Sequence, residues 1–110
     1  MPASVVPEDF DLLLKGRDHL EIASHVPGRV RLKFDFSIVA RAPELVDRGK
    51  EIIGAMRGIR DVDANLFGRS ITVEYDPAVL PPEWWDQLYG DDEAAAREVV
   101  AKLKKAFASG

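Results

Sequence analysis

The chain has 110 residues, 46% hydrophobic and 31% charged, the size and balance of one globular domain with a single core. Its formal net charge of −4 weighs against a nucleic-acid coat, which is usually basic. It has no cysteine, which excludes disulfides, thiolate metal sites, thiol nucleophiles and iron–sulfur clusters.

No apolar run approaches the roughly 20 residues needed to span a bilayer. Residues 1–17 carry Glu8, Asp9 and Asp11 and lack a basic start followed by an apolar run. No signal peptide is therefore predicted, and the expected location is cytoplasmic. Residues 1–18 read as an N-terminal lead, with Glu8-Asp9-Phe10 and Leu12-Leu13-Leu14 forming a short helix that ends at Gly16. Residues 19–110 read as a single domain.

Residues 24–34, SHVPGRVRLKF, alternate apolar and basic side chains around Pro27-Gly28. Leu20, Ile22, Val26, Val30, Leu32, Phe34 and Phe36 all share even parity, as one strand requires. A two-residue hairpin centred on Pro27-Gly28 would set Val30 opposite His25 and Phe34 opposite Glu21, apolar against polar on one face. The parity thus predicts one long strand over 20–36, bent or bulged near Gly28 because proline cannot donate to a ladder.

A helix is predicted next. Pro43 and Glu44 suit its first turn, Gly58 its end, and Leu45, Gly49, Ile52, Ile53 and Met56 form its apolar face. Gly49 is expected to mark close packing of helix on sheet. Val62, Ala64 and Leu66, then Ile71, Val73 and Tyr75, alternate with polar residues as two strands joined through Phe67-Gly68-Arg69. Residues 81–89 and 93–108 read as helices, the second with Ala96, Val99, Val100, Leu103 and Phe107 on one face. Glu93–Arg97 and Glu98–Lys102 stand four apart in the favourable order. The expected fold is an α+β, ferredoxin-like two-layer sandwich, β-α-β-β-α, with a long first strand and an extra C-terminal helix. The fourth strand of such a fold has no counterpart after the last helix.

In that order, SHVPGRVRLKF, a helix and MRGIRDVDANLFGRSITVEYDP (residues 56–77) resemble the heavy-metal-associated domains. Within them GIRDVxxN and VEYDP are similar to the second half of such domains. HVPGRVR is similar to the variant branch found in soluble modules and at the cytosolic ends of P-type metal ATPases. The resemblance covers residues 20–77 and implies a ferredoxin-like fold and a setting in metal traffic. The Met-x-Cys-x-x-Cys loop of the copper-binding members has no match, since residues 35–43 read DFSIVARAP. Soft monovalent copper selects sulfur ligands, so no metal site and no cofactor are expected.

The candidate residues are therefore few. His25, beside Pro27-Gly28-Arg29, could hold a ligand or anion, or be a partly exposed structural histidine. His19 is six residues away, roughly 20 Å along a strand, too far to share an ion with it. Arg29, Arg31 and Lys33 make a cation row at about 7 Å spacing. It could bind phosphates, an anionic surface or an acidic partner, although Glu74, Asp61 and Asp63 on neighbouring strands are expected to consume it as solvated ion pairs. Asp61 and Asp63 alone lack the converging oxygens that a hard cation wants. Trp84 and Trp85 point about 100° apart on a helix, either into the core or toward a partner.

No phosphate-binding glycine loop occurs, and serines 4, 24, 37, 70 and 109 have no histidine–acid pattern beside them. The central strands carry Arg31, Lys33, Thr72 and Glu74 where an RNA-recognition sheet stacks bases on aromatics. The expected function is a non-catalytic interaction or regulatory module in metal transport or homeostasis, working beside a transporter or storage protein. The alternative is a homo-oligomeric adaptor that uses Arg29, Arg31 and Lys33 on an acidic partner or anionic surface. A homodimer paired along residues 20–27 is a further expectation.

Overall fold

The computed structural model describes residues 5–41, 43–65 and 67–108. The predicted roles of Leu66 and of the Leu45 side chain lie outside the described residues, as do Ser4 and Ser109. A 3-10 turn, Pro7–Phe10, leads into α1 (Asp11–Gly16) and a second turn, Arg17–His19. Then follow β1 (Leu20–Val26), β2 (Arg29–Phe34), α2 (Phe36–Arg41), α3 (Pro43–Gly54), β3 (Ile59–Asn65), β4 (Ser70–Tyr75), α4 (Pro82–Leu88) and α5 (Glu93–Ala108). The fold is α+β, with a four-stranded antiparallel sheet ordered β1-β2-β4-β3.

The single long strand predicted over 20–36 is two strands. The chain reverses at Pro27-Gly28, and the paired residues run from Val26 opposite Arg29 to Leu20 opposite Phe34. Gly28 has φ 95°, and proline followed by a positive-φ glycine is the type II turn pattern. The parity argument against a hairpin fails because of one extra residue. Ladder register shifts between Ile22 and Ser24, leaving Ala23 as a bulge. Before the bulge, even residues face even ones: Leu20 lies opposite Phe34 and Ile22 opposite Leu32. After it, His25 lies opposite Val30. Val26 consequently turns outward and is 60% exposed, while His25 turns toward the helices. The segment from Phe36, read as strand end and loop, is α2.

The hairpin supplies the strand that the sequence left unaccounted for. β2 and β3 flank β4, both antiparallel to it, and are joined over one face by α2 and α3. Val30, Leu32 and Phe34 of β2 and Ile71, Val73 and Tyr75 of β4 are buried on that face. They join Val46, Ile52, Ile53 and Met56, and the α5 stripe Ala96, Val99, Val100 and Leu103, in one core. The lead belongs to this core. Phe10 is fully buried edge-on to Phe107 at 5.3 Å, and ion pairs Asp9–Arg48 (2.7 Å) and Asp11–Lys104 (2.8 Å) hold it down. A backbone hydrogen bond from Val6, with Arg48 also contributing, lowers the Asp9 pKa below its usual value.

α5 begins where Asp92 caps the backbone N–H groups of Ala94 and Ala95, and it carries the predicted Glu93–Arg97 pair at 3.2 Å. Gly49 departs from expectation. A Cβ built there would meet nothing within 4 Å, so it does not mark close helix–sheet packing.

Candidate functional site

The two faces of the sheet hold the predicted site residues in different states. On the helix side, the bulge at Ala23 aims His25 at Tyr75 and Asp86. Its Nε2 lies 2.6 Å from the Tyr75 hydroxyl and its Nδ1 lies 3.0 Å from Asp86 Oδ1. A carboxylate can only accept, so in a neutral ring Nδ1–H donates to Asp86 and Nε2 accepts the Tyr75 O–H. Burial raises the Tyr75 pKa, opposed by a backbone hydrogen bond with Gly28 and reinforced by the charges of Asp86 and Glu83. The phenol therefore stays protonated as the donor. Tyr75 also packs on Trp85 at 5.6 Å, and its backbone N–H donates to Gly28 O at 3.0 Å.

This chain ties the hairpin turn to α4. Tyr75 is 1% exposed and the His25 side chain 10%, with both ring nitrogens engaged. The acid–imidazole–hydroxyl order is that of a nucleophilic triad, but a hydroxyl sealed in the core cannot reach a substrate. The cluster is a satisfied structural network. Neither Tyr75 nor Asp86 stands out in the sequence, since 50 and 61 residues separate them from His25.

The tryptophans divide. Trp85 is buried, and Trp84 is half-buried with the Lys102 ammonium 5.8 Å from its ring centre. Lys102, expected to pair with Glu98, thus lies over an aromatic face.

The other face of the sheet is open. Arg29, Arg31 and Lys33 are all exposed along β2, an interior strand. Register puts Glu74 opposite Arg29, Thr72 opposite Arg31, and Glu21 opposite Lys33, with Asp61 and Asp63 beyond on β3. The expected ion pairs do not form: none of the three cations has one among the described residues. No aromatic side chain stands on this face of β2 or β4. At the end of the row past Lys33, Phe36 lies exposed beneath Arg69 at 5.9 Å, and Phe67 is fully exposed in the turn before Arg69.

His19 pairs with Asp35 at 3.3 Å and does not join His25. Among the described residues no group of three or more histidine, cysteine or carboxylate side chains could hold a metal ion. No helix among them is long and apolar enough to cross a membrane. Comparison of the chain with family models, curated proteins and solved structures finds no match.

Proposed function

We propose that the protein is a non-catalytic recognition module whose open sheet face docks an extended acidic segment of a partner protein. The observation that carries this reading is the set of three exposed cations on β2 that have no ion pair among the described residues. Exposed lysines and arginines gain little from a loose surface pair, so their spacing is free to serve a ligand. Alternate residues on a strand lie about 7 Å apart, the same repeat as alternate side chains of an extended peptide. Arg69 with the exposed Phe36 and Phe67 continues the row into an apolar anchor, and arginine and aromatics are the residues that dominate interface energies. Glu21, Asp61, Asp63 and Glu74 flank the cations. They favour a narrow acidic strip over a flat anionic bilayer, which would meet those carboxylates too.

The strand arrangement fits a ferredoxin-like sandwich in which β1 occupies the place of the usual last strand. With the likeness of residues 20–77 to heavy-metal-associated domains, this supports a role beside a metal transporter or storage protein, without a thiolate site. Pairing of two copies along the β1 edge is the competing assembly. The bulge at Ala23 works against it, because bulged edges resist edge-to-edge addition.

The test is an amide-shift titration with a peptide carrying glutamate at alternate positions and one terminal leucine. Shifts should centre on Arg29, Arg31, Lys33 and Thr72, weaken on the order of tenfold between low and high salt, and vanish in an R29S/R31S/K33S variant. Shifts confined to β1, with a sedimentation mass of two chains, would favour self-association. Equal binding by the triple variant would remove the proposal.

A further inference from the structure

The cation row on β2 is not uniform. Arg29 stands opposite Glu74 and Lys33 opposite Glu21, each with a carboxylate on a neighbouring strand. Arg31, between them, has no carboxylate in register: its partners are Ser24 on β1 and Thr72 on β4. Both hydroxyls share its face of the sheet. Thr72 lies between the buried Ile71 and Val73, and Ser24 is exposed beside His25, which points inward. The extra residue Ala23 is why Ser24 faces outward although Ile22, of the same parity, packs on the core.

The guanidinium and the two hydroxyls thus form a line of donors across three strands. Neighbouring strands lie about 4.8 Å apart, so both hydroxyls are within reach of one group held by Arg31. Among the described residues no hydrogen bond or ion pair engages the side chains of Ser24, Arg31 or Thr72. The next carboxylate along the line, Asp63 opposite Thr72, is two strands from Arg31, about 10 Å away. Glu74 and Glu21 face the outer two cations, so Arg31 is the least compensated charge in the row. A carboxylate offers two oxygens, and the guanidinium fork alone occupies both. A phosphoryl group offers three oxygens and up to twice the charge at neutral pH. Here its third oxygen has a hydroxyl donor on either side.

We infer that the partner segment docked on this face carries a phosphorylated serine or threonine over Arg31, its phosphoryl group held by the Arg31 guanidinium and the Ser24 and Thr72 hydroxyls. The inference rests on the open sheet face being the dock for an extended acidic strip, and it names the group at the centre of that strip. Acidic residues two positions to either side of the phosphoresidue meet Arg29 and Lys33, at the shared repeat of about 7 Å. Single-stranded nucleic acid also carries phosphates on an extended chain, but it needs aromatic side chains to stack its bases, and β2 and β4 place none on this face.

Three peptides test the inference, alike except for serine, glutamate or phosphoserine at the middle of three alternate positions, with glutamate at the outer two and a terminal leucine. Affinity is read from the amide shifts of Ser24, Arg31 and Thr72 in the full chain. The phosphoserine peptide should bind on the order of tenfold tighter than the glutamate peptide, and the serine peptide should bind weakest. An S24A/T72V variant should bind the glutamate peptide within about twofold of the parent, showing an intact face, while the phosphoserine gain falls to about threefold or less. Arg31→Lys, which keeps the charge and loses the fork, should also shrink the gain. Equal affinity for the phosphoserine and glutamate peptides, or an undiminished gain in the double variant, overturns this inference and leaves the docking of an acidic strip standing. Failure of all three peptides to bind removes both. Tighter binding to vesicles of phosphatidylcholine and a phosphorylated inositol lipid than to the phosphoserine peptide would assign the site to a membrane and overturn the inference as well.

Discussion

The hairpin β1–β2 shows two ways of treating polar side chains only a few residues apart. On its inner face His25 is matched atom for atom, by the Tyr75 hydroxyl and the Asp86 carboxylate. On its outer face Arg29 and Lys33 have acidic neighbours in register, yet neither they nor Arg31 form an ion pair among the described residues. A buried imidazole must be satisfied or it destabilises the fold, whereas an exposed cation is already satisfied by water. The first kind of residue is thus bound to structure. The second is left for a partner.

The contrast is sharpest between adjacent residues of β2. Leu32→Ala should cost about 2–5 kcal/mol, since Leu32 is fully buried, while Arg31→Ala should stay within about 0.5 kcal/mol in the same denaturant titration. Similar losses at both positions would mean the faces are not divided as described. His25→Ala should be intermediate, about 1–3 kcal/mol, because it leaves the buried Tyr75 hydroxyl without its acceptor. A His25→Ala, Tyr75→Phe double variant should lose less than the two single losses together, the mark of a shared bond.

Alkali tests the burial of two tyrosines, Tyr75 of this network and Tyr89 just after α4. Burial raises the pKa of Tyr75 and Tyr89 above the unfolded value near 10. Above that pH the unfolded chain sheds these protons first, so stability is full below about pH 10 and falls as pH rises further. Tyr89→Phe should flatten the fall, and an unchanged slope would show that the phenol is not buried.

The smallest effect concerns the bulge. Deleting Ala23 should leave Leu20 opposite Phe34 and His25 opposite Val30, since Ala23 has no partner in the ladder. Such a variant should keep the parent's amide pattern outside residues 21–25. Wholesale loss of that pattern would show that Ala23 is not the extra residue.

Much of the fold could be read from residue order. α5 falls on the span its apolar stripe and opening Asp92 predict, and the β3–β4 hairpin follows from alternation on either side of Phe67-Gly68-Arg69. α3 ends sooner, at Gly54, four residues before the glycine taken as its stop. The first hairpin was hidden because one unpaired residue reverses parity, so Leu20, Ile22, Val30 and Phe34 line one face of two strands as they would line one face of one. Pro27-Gly28 was the local signal, and it pointed to the turn. The cation row was legible, because alternation alone exposes it. The partners of His25 were not, since they lie 50 and 61 residues away and only packing brings them together.

Cross-strand nuclear Overhauser contacts across the turn probe the whole account at once. Proximity of Leu20 to Phe34 and of His25 to Val30, with the His25 ring against Tyr75, is the predicted result. An extended backbone through residues 26–29, with none of those contacts, would contradict it and return Arg29, Arg31 and Lys33 to an ordinary edge.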